Sequence, residues 1–105
     1  MRSERHRARR YPFSAGIELI DLQSEAAMQG QTRDLSLFGC SVNTVKPWKV
    51  GTKVRVRILH KGTVFVALGR VANTRANAGM GVIFTTIEPK NQMSLEKWVD
   101  ELRGQ

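Results

Sequence analysis

Several residue types are scarce in this chain, and each shortage narrows what the chain can be. The 105 residues contain one cysteine, Cys40, so no internal disulfide can form, and no cluster of histidine and cysteine has the spacing of a zinc module. This cysteine content fits a reducing, cytoplasmic environment. No apolar run approaches the ~20 residues of a membrane helix, so membrane insertion is not expected. Disulfide scaffolds, zinc modules and membrane spans are therefore excluded as starting hypotheses.

Side chains for catalysis are also missing in any recognisable arrangement. The sequence has no serine, histidine and aspartate in an order typical of a catalytic triad, and no glycine-rich loop ending in lysine that would hold a phosphate. His60 stands beside Lys61-Gly62 in an expected hairpin, without a partner at catalytic or ligand spacing, and is predicted to be exposed. We therefore predict a binding protein rather than an enzyme, with no metal and no cofactor.

Positive charge is abundant and unevenly distributed. Seventeen Lys and Arg against nine Asp and Glu give a net charge of +8, which favours an acidic or polyanionic partner. Residues 1–10 contain five arginines and one acidic residue, Glu4, so about a tenth of the chain carries half of the net charge. Such a segment has almost no apolar surface to bury. It predicts a flexible basic arm over residues 1–10, followed by one domain over residues 11–105.

The rest of the chain has the period of β-strands and then of a helix. Apolar and polar residues alternate around Ile17 and Leu19 and again from Val54 to Ile58. Four more strand segments lie between turn formers: 27–33, 39–44, 63–73 and 81–86. From Pro89 to Arg103 the apolar residues share one helix face, with Trp98 among them. The pattern predicts an all-β fold with one C-terminal helix, in which a small six-stranded antiparallel barrel is flanked by an amphipathic helix.

A polar, turn-prone stretch interrupts the apolar pattern between Thr32 and Val42. Asp34 and Ser36 stand two residues apart, which places them on the same side of an extended segment. A carboxylate can accept hydrogen bonds from the N1–H and amino group of guanine, and a serine hydroxyl can donate to a phosphate or bond the loop backbone. Gly39 would allow a positive φ or the close approach of a ligand. Taken alone, the stretch is more often an ordinary corner between two strands.

Two segments of the sequence stand out: Arg5-His6-Arg7-Ala8-Arg9-Arg10, which runs into Tyr11-Pro12-Phe13, and Asp34-Leu35-Ser36-Leu37-Phe38-Gly39. Together they resemble the PilZ domain family. They are similar to the R-x-x-x-R and [D/N]-x-S-x-x-G elements with which that family binds cyclic di-GMP, and the resemblance continues over nearly the whole chain. It implies a six-stranded barrel with a C-terminal helix. It also implies a non-enzymatic receptor of this bacterial second messenger that regulates motility, adhesion or exopolysaccharide output. A downstream protein partner is expected.

The resemblance implies ligand contacts from both segments. A guanidinium can bond guanine O6 and N7 in a bidentate manner and can also pair with phosphate oxygens. Two registers of the first element are open: Arg5 with Arg9, or His6 with Arg10, of which the second places the later residue directly before the first strand. Histidine can donate to a phosphate but lacks the planar fork of arginine. The expected ligand-binding residues are Arg5, His6, Arg7, Arg9, Arg10, Asp34, Ser36 and Gly39.

Two other functions stay open at this point. A PilZ-like adapter that has lost nucleotide binding would act through a protein partner, and His6 in the arginine element is consistent with it. A nucleic-acid-binding barrel would use the charge of +8 and the outward row of Lys53, Arg55 and Arg57. Such a row is common on solvated strands, and an aromatic content of 7% leaves few rings for base stacking. Nucleic acid is therefore the least expected partner.

Overall fold

The alternating segments of the sequence form strands that close into a barrel. The computed structural model describes residues 8–104. Within them the elements are β1 (Tyr11–Pro12), β2 (Gly16–Asp21), β3 (Ala27–Leu35), β4 (Gly39–Asn43), β5 (Lys53–His60), β6 (Thr63–Arg75), β7 (Gly79–Thr86) and α1 (Pro89–Arg103).

Six strands make the ring and the seventh is a short addition to it. All pairings are antiparallel, and the ring follows the order β3-β2-β5-β6-β7-β4, closed by the pairing of β4 with β3. The two residues of β1 lie against the end of β3, where Tyr11 faces Leu35 and Pro12 faces Asp34. The predicted six-stranded antiparallel barrel with one C-terminal helix is confirmed.

Alternation along the strands separates the core from the outer surface. In β5, Val54, Val56 and Ile58 are fully buried, whereas the basic residues between them are exposed. Burying a side chain of this size stabilises the fold by about 1.5–3 kcal/mol relative to leaving it in water. The barrel interior is therefore filled with side chains, and chemistry that needs solvent must take place on its walls or at its ends.

Helix α1 covers one end of the barrel. Its residues Leu95, Trp98 and Val99 are buried, as the helical period predicts. The Trp98 ring lies 5.7 Å from the ring of Phe13 and 6.1 Å from that of Phe65, measured between centroids. These aromatic contacts fix the helix against the segment that leads from the arm into β2. Within residues 8–104 no helix has the length and apolar character needed to cross a membrane.

His60 belongs to this aromatic group, so the expectation that it is exposed is wrong. Its ring centroid lies 4.7 Å from Phe13 and 5.3 Å from Trp98, in edge-to-face arrangements, and the residue is half-buried. The helix packs over the hairpin between β5 and β6, which the local sequence does not indicate. Burial lowers the pKa of His60, and the nearby Lys61 lowers it further. The neutral imidazole is therefore the form that fits this packing.

One hydrogen bond fastens α1 to an open edge of the sheet. The last residue pair between β6 and β7 is Leu68 with Thr86, so β7 does not reach Val66. The side-chain Oδ1 of Asn91 accepts a hydrogen bond from the N–H of Val66 at 2.9 Å. The helix thereby satisfies a partly buried backbone donor that the neighbouring strand leaves unpaired.

Asn91→Ala is expected to lower the free energy of unfolding by about 1–2 kcal/mol, because the Val66 N–H then loses its acceptor. Met93→Ala in the same helix is the matched control, since Met93 is 70% exposed and its removal should change little. Urea unfolding followed by circular dichroism measures both. An equal loss in the two variants would mean that the bond does not contribute.

Candidate functional site

A β-bulge near the end of β3 turns Asp34 toward the outer surface. Thr32 pairs with Val42 of β4, but Asp34 pairs with Ser41, so Arg33 is an extra residue in β3. Strict alternation would place Asp34 on the inner side together with the buried Thr32. The extra residue reverses this alternation, as bulges do. The carboxylate of Asp34 therefore lies on the barrel wall, half-buried, rather than in the core.

The buried Thr32 fixes the bulge relative to the end of the arm. Its hydroxyl donates to the carbonyl of Phe13 at 2.6 Å and accepts from the N–H of Ala15 at 2.9 Å. A buried hydroxyl with both bonds made holds its partners in place, because breaking either bond leaves an unsatisfied polar group. The chain that enters β2 is thus held beside the strand that carries Asp34.

Arg10 and Asp34 form an ion pair at this place. Nη1 of Arg10 donates to Oδ1 of Asp34 at 2.8 Å, because the pairing of β1 with β3 brings the residue before Tyr11 next to Asp34. The Arg10 side chain is 45% exposed and that of Asp34 19%. An ion pair this open to solvent contributes at most about 1 kcal/mol to stability. Both groups therefore remain available to a ligand at small cost to the fold.

The loop after β3 is held by Ser36. Its hydroxyl accepts from the N–H of Phe38 at 3.1 Å, and its own N–H donates to the carbonyl of Gly39 at 2.9 Å. Ser36 is buried, and it lies beyond the end of β3, so it does not share a strand face with Asp34. Of the two roles expected for this hydroxyl, the structure shows the bond to the loop backbone.

Gly39 is required by the neighbouring strand rather than by a turn. Its φ is not positive, so that expectation is wrong. A β-carbon placed at Gly39 would overlap the carbonyl oxygen of Val82 and come within 3.0 Å of the Cα of Ile83. The close approach that the structure shows is by the backbone of β7, and the approach of a ligand stays a prediction. Glycine at this position lets β4 and β7 pair where the loop after β3 ends.

A cleft of about 340 Å³ lies between the end of the arm, the loop after β3 and α1, and the two chain neighbours of Arg10 are among its lining residues. Its lining is mostly aromatic and aliphatic with two arginines: Ala8, Arg9, Tyr11, Leu37, Phe38, Val99 and Arg103. The Phe38 side chain is 47% exposed, which is unusual for an aromatic ring. Hydrogen bonding with Tyr11 raises the pKa of Arg103. The cleft thus combines an accessible ring with two arginines, of which Arg103 also donates to Oδ1 of Asp100 at 3.0 Å. An aromatic ring beside guanidinium groups suits a planar anionic ligand.

The structure brings some of the expected ligand-binding residues together. Three of them lie outside the described residues: Arg5, His6 and Arg7. Arg10 and Asp34 are in contact, Arg9 lines the cleft, and Ser36 and Gly39 shape the loop.

Of the seven cleft residues, only Arg9 is among the ligand-binding residues predicted from the sequence, and three of the other six carry an aromatic ring or a charge: Tyr11, Phe38 and Arg103. Of these three, only Arg103 has a sequence pattern that indicates its place, because it stands four residues after Val99 and therefore lies on the helix face that packs on the barrel. Tyr11 and Phe38 reach the cleft through the pairing of β1 with β3 and through the shape of the loop.

The remaining chemistry-bearing groups do not form a second site. Cys40 is fully buried in the core, and burial raises the pKa of its thiol to about 12. It is therefore an inert structural thiol at neutral pH, as the sequence indicates. In the described part of the chain, no group of three or more His, Cys, Asp or Glu is placed to hold a metal ion.

Comparison with known proteins identifies the family. The family model of the PilZ domain matches residues 3–101. The chain belongs to the PilZ domain family. A search of curated proteins finds no match.

Solved PilZ domains share this fold. The PilZ domain of CeSA from a cellulose-synthesizing bacterium has a TM-score of 0.74 at 23% identity, over 91% of this chain and 99% of that one. The PilZ domain of Escherichia coli YcgR, solved with c-di-GMP, has a TM-score of 0.74 at 16% identity, over 92% and 90%. Bacillus subtilis MotI/DgrA, an inhibitor of motility, has 0.69 at 14%, over 88% of this chain and 47% of that one. At these identities the likeness concerns the fold.

Proposed function

We propose that this PilZ domain is a receptor for cyclic di-GMP, without enzymatic activity, in the bacterial cytoplasm. The observation that carries the proposal is the solvent-accessible pair of Arg10 and Asp34, together with a cleft that holds an exposed aromatic ring and two arginines and is lined by the chain neighbours of Arg10. The ligand class is supported by membership of the family and by the YcgR PilZ domain solved with c-di-GMP.

Asp34 is the group that would read guanine. Its carboxylate can accept from the N1–H and the exocyclic amino group together, a pair of donors that adenine does not present. Oδ1 already accepts from Arg10, and a carboxylate has further acceptor sites. The guanidinium of Arg10 can therefore stay bonded to Asp34 while its other N–H groups turn to guanine O6 and N7 or to a phosphate.

The cleft would hold the rest of the ligand. Its volume of about 340 Å³ lies at the lower end of the range typical of small-molecule sites, roughly 300–1,000 Å³. A guanine ring can stack on Phe38, and Arg9 and Arg103 can pair with phosphate oxygens. Ser36 and Gly39 keep the loop in the shape that presents Phe38.

The position of Arg10 supports one register of the arginine element. Arg10 contacts Asp34, whereas Arg9 faces the cleft, so the pair His6 and Arg10 fits this geometry better than Arg5 and Arg9. We propose that the ligand draws residues 5–10 over the loop and that a downstream protein recognises the altered surface. Charge-assisted bonds to the phosphates would offset the entropy lost on fixing these residues, about 1–2 kcal/mol for each backbone residue.

Calorimetric titration with cyclic di-GMP and cyclic di-AMP tests the proposal. Cyclic di-GMP is expected to bind at least about tenfold more tightly, because each misread base costs about 1–3 kcal/mol. Equal affinities for the two dinucleotides would exclude guanine recognition by Asp34. Duplex DNA is the third ligand to titrate. If DNA binds tightly, with a slope of log affinity against log salt of about −0.9 per phosphate contacted, and neither dinucleotide binds, the protein is a nucleic-acid-binding barrel and not a receptor for cyclic di-GMP.

A further inference from the structure

The outer surface of β5 and β6 carries basic and aliphatic side chains that the ligand site does not use. These residues point outward because the alternate positions of both strands fill the core. We call this surface the basic wall and define it by Lys53, Arg55, Arg57, Leu59, Val64, Leu68 and Arg70, all of which are exposed.

Positive charges on the basic wall face one another. Lys53 lies directly opposite Arg70 in the ladder, an arrangement that destabilises an isolated sheet. Two-residue spacing also places each of Lys53, Arg55 and Arg57 about 7 Å from the next along one strand. Neither of the two ion pairs formed within residues 8–104 includes a residue of the wall. In this part of the chain, Glu18 of β2 is the single carboxylate paired in a ladder with a residue of the wall, and it lies opposite Arg57.

Aliphatic side chains interrupt this charge. Leu59 is 53% exposed, Val64 38% and Leu68 41%. Leu59 and Val64 are direct cross-strand neighbours, and Leu68 stands opposite Arg55. Their exposure leaves apolar surface in contact with water. Burying that surface in an interface would be favourable by roughly 25 cal/mol per Å². The wall is therefore both cationic and partly apolar.

A depression lies next to the wall, between β3, β2 and β5. It has a volume of about 280 Å³, and Gly16, Gly30, Arg57 and Leu59 are among its lining residues. Gly16 is in register with Leu59, and a β-carbon added there would meet no atom within 4 Å. The missing side chain thus leaves open space beside the wall into which a projecting side chain can fit.

We propose that the basic wall is a docking surface for a partner protein whose own surface carries carboxylates beside apolar side chains. Unpaired cations select an acidic partner by charge complementarity. The interleaved Leu59, Val64 and Leu68 match apolar side chains, which a phosphate backbone does not offer. A lipid surface fits less well, because these aliphatic groups lie on the flat face of two strands instead of projecting into an acyl layer.

The basic wall and the ligand site are on opposite sides of the ring. In the closed order β3-β2-β5-β6-β7-β4, strands β5 and β6 lie across from β4 and β3. A protein docked on the wall therefore leaves Asp34 accessible, and the inference does not depend on nucleotide binding.

Backbone-amide NMR titration of the full chain tests this docking surface. The probe is a short helical peptide with one leucine face bordered by glutamates, and a peptide of equal charge with serine in place of leucine is its partner control. We expect the leucine peptide to shift amides of β2, β5 and β6. The double variant Arg55→Gln, Arg57→Gln should weaken its binding at least about tenfold. The matched control Arg75→Gln, Lys97→Gln removes the same charge from exposed positions off the wall and should leave the affinity within about twofold.

A variant that fills the depression tests the shape of the wall separately from its charge. The β-carbon of Gly16→Val meets no atom within 4 Å, and the variant leaves every charge in place. It should fold normally yet weaken peptide binding about fivefold. Equal binding of the serine peptide, or an equal loss in the control variant, would overturn the proposal. Tighter binding of duplex DNA or of phosphatidylglycerol vesicles to the same amides would overturn it in favour of those partners.

Discussion

Gly39→Ala is expected to destabilise the barrel by about 3 kcal/mol. The added β-carbon would overlap the carbonyl oxygen of Val82 and press on the Cα of Ile83. Both are backbone atoms of β7, directly across the ladder from Gly39, so no side chain can rotate away to make room. The two strands must separate, and that loosens the ring at the point where the loop after β3 ends.

Gly16→Ala is the matched control for this prediction. A β-carbon there meets nothing within 4 Å, and replacing a strand glycine removes backbone freedom from the unfolded chain. Its stability should be unchanged or slightly higher. Urea unfolding of both variants gives the comparison. If Gly39→Ala unfolds at the same urea concentration as the wild type, the close approach of β4 and β7 does not require a glycine at this position.

Asp34→Asn is expected to weaken cyclic di-GMP binding about 100-fold. The amide keeps the size of the carboxylate, but it loses the charge that holds Arg10. It also loses one of the two acceptors that we propose face guanine. A hydrogen bond to a charged group is worth about 1.5–3 kcal/mol, and an unmatched donor adds to the loss. The fold should remain, because the exposed ion pair contributes at most about 1 kcal/mol to stability.

Glu18→Gln is the control for Asp34→Asn, since it also converts a half-buried carboxylate on the barrel wall to an amide. Calorimetry at one salt concentration measures both, with thermal unfolding to show that each variant is folded. Glu18→Gln should bind as the wild type does. A retained affinity in Asp34→Asn, or an equal loss in Glu18→Gln, would exclude Asp34 as the guanine-reading group.

The sequence predicts most of the fold because the barrel obeys local periodicity. The helix was expected over 89–103 and is found at Pro89–Arg103, since a proline start and a glycine after the last turn are strong local signals. Strand β1 was not predicted, because two residues cannot show a period. Strand β3 continues to Leu35, past the expected end at Arg33, because the bulge at Arg33 breaks the alternation that marks a strand.

The candidate site is less accessible to sequence reasoning because tertiary pairing builds it. Asp34 and Arg10 stand out through the family resemblance, but their contact depends on the pairing of β1 with β3, which no local pattern indicates. The role of Gly39 depends on β7, more than forty residues away along the chain. Phe38 becomes part of a cleft only when α1 packs beside the loop.

Mapping cyclic di-GMP on the full chain by backbone-amide NMR tests the central claim most directly. The account predicts shifts at residues 9–11, at 34–39 and around Arg103, with the basic wall unchanged. Binding that is seen by calorimetry but shifts the amides of Arg55 and Arg57, and leaves Asp34 and Phe38 unchanged, would contradict it.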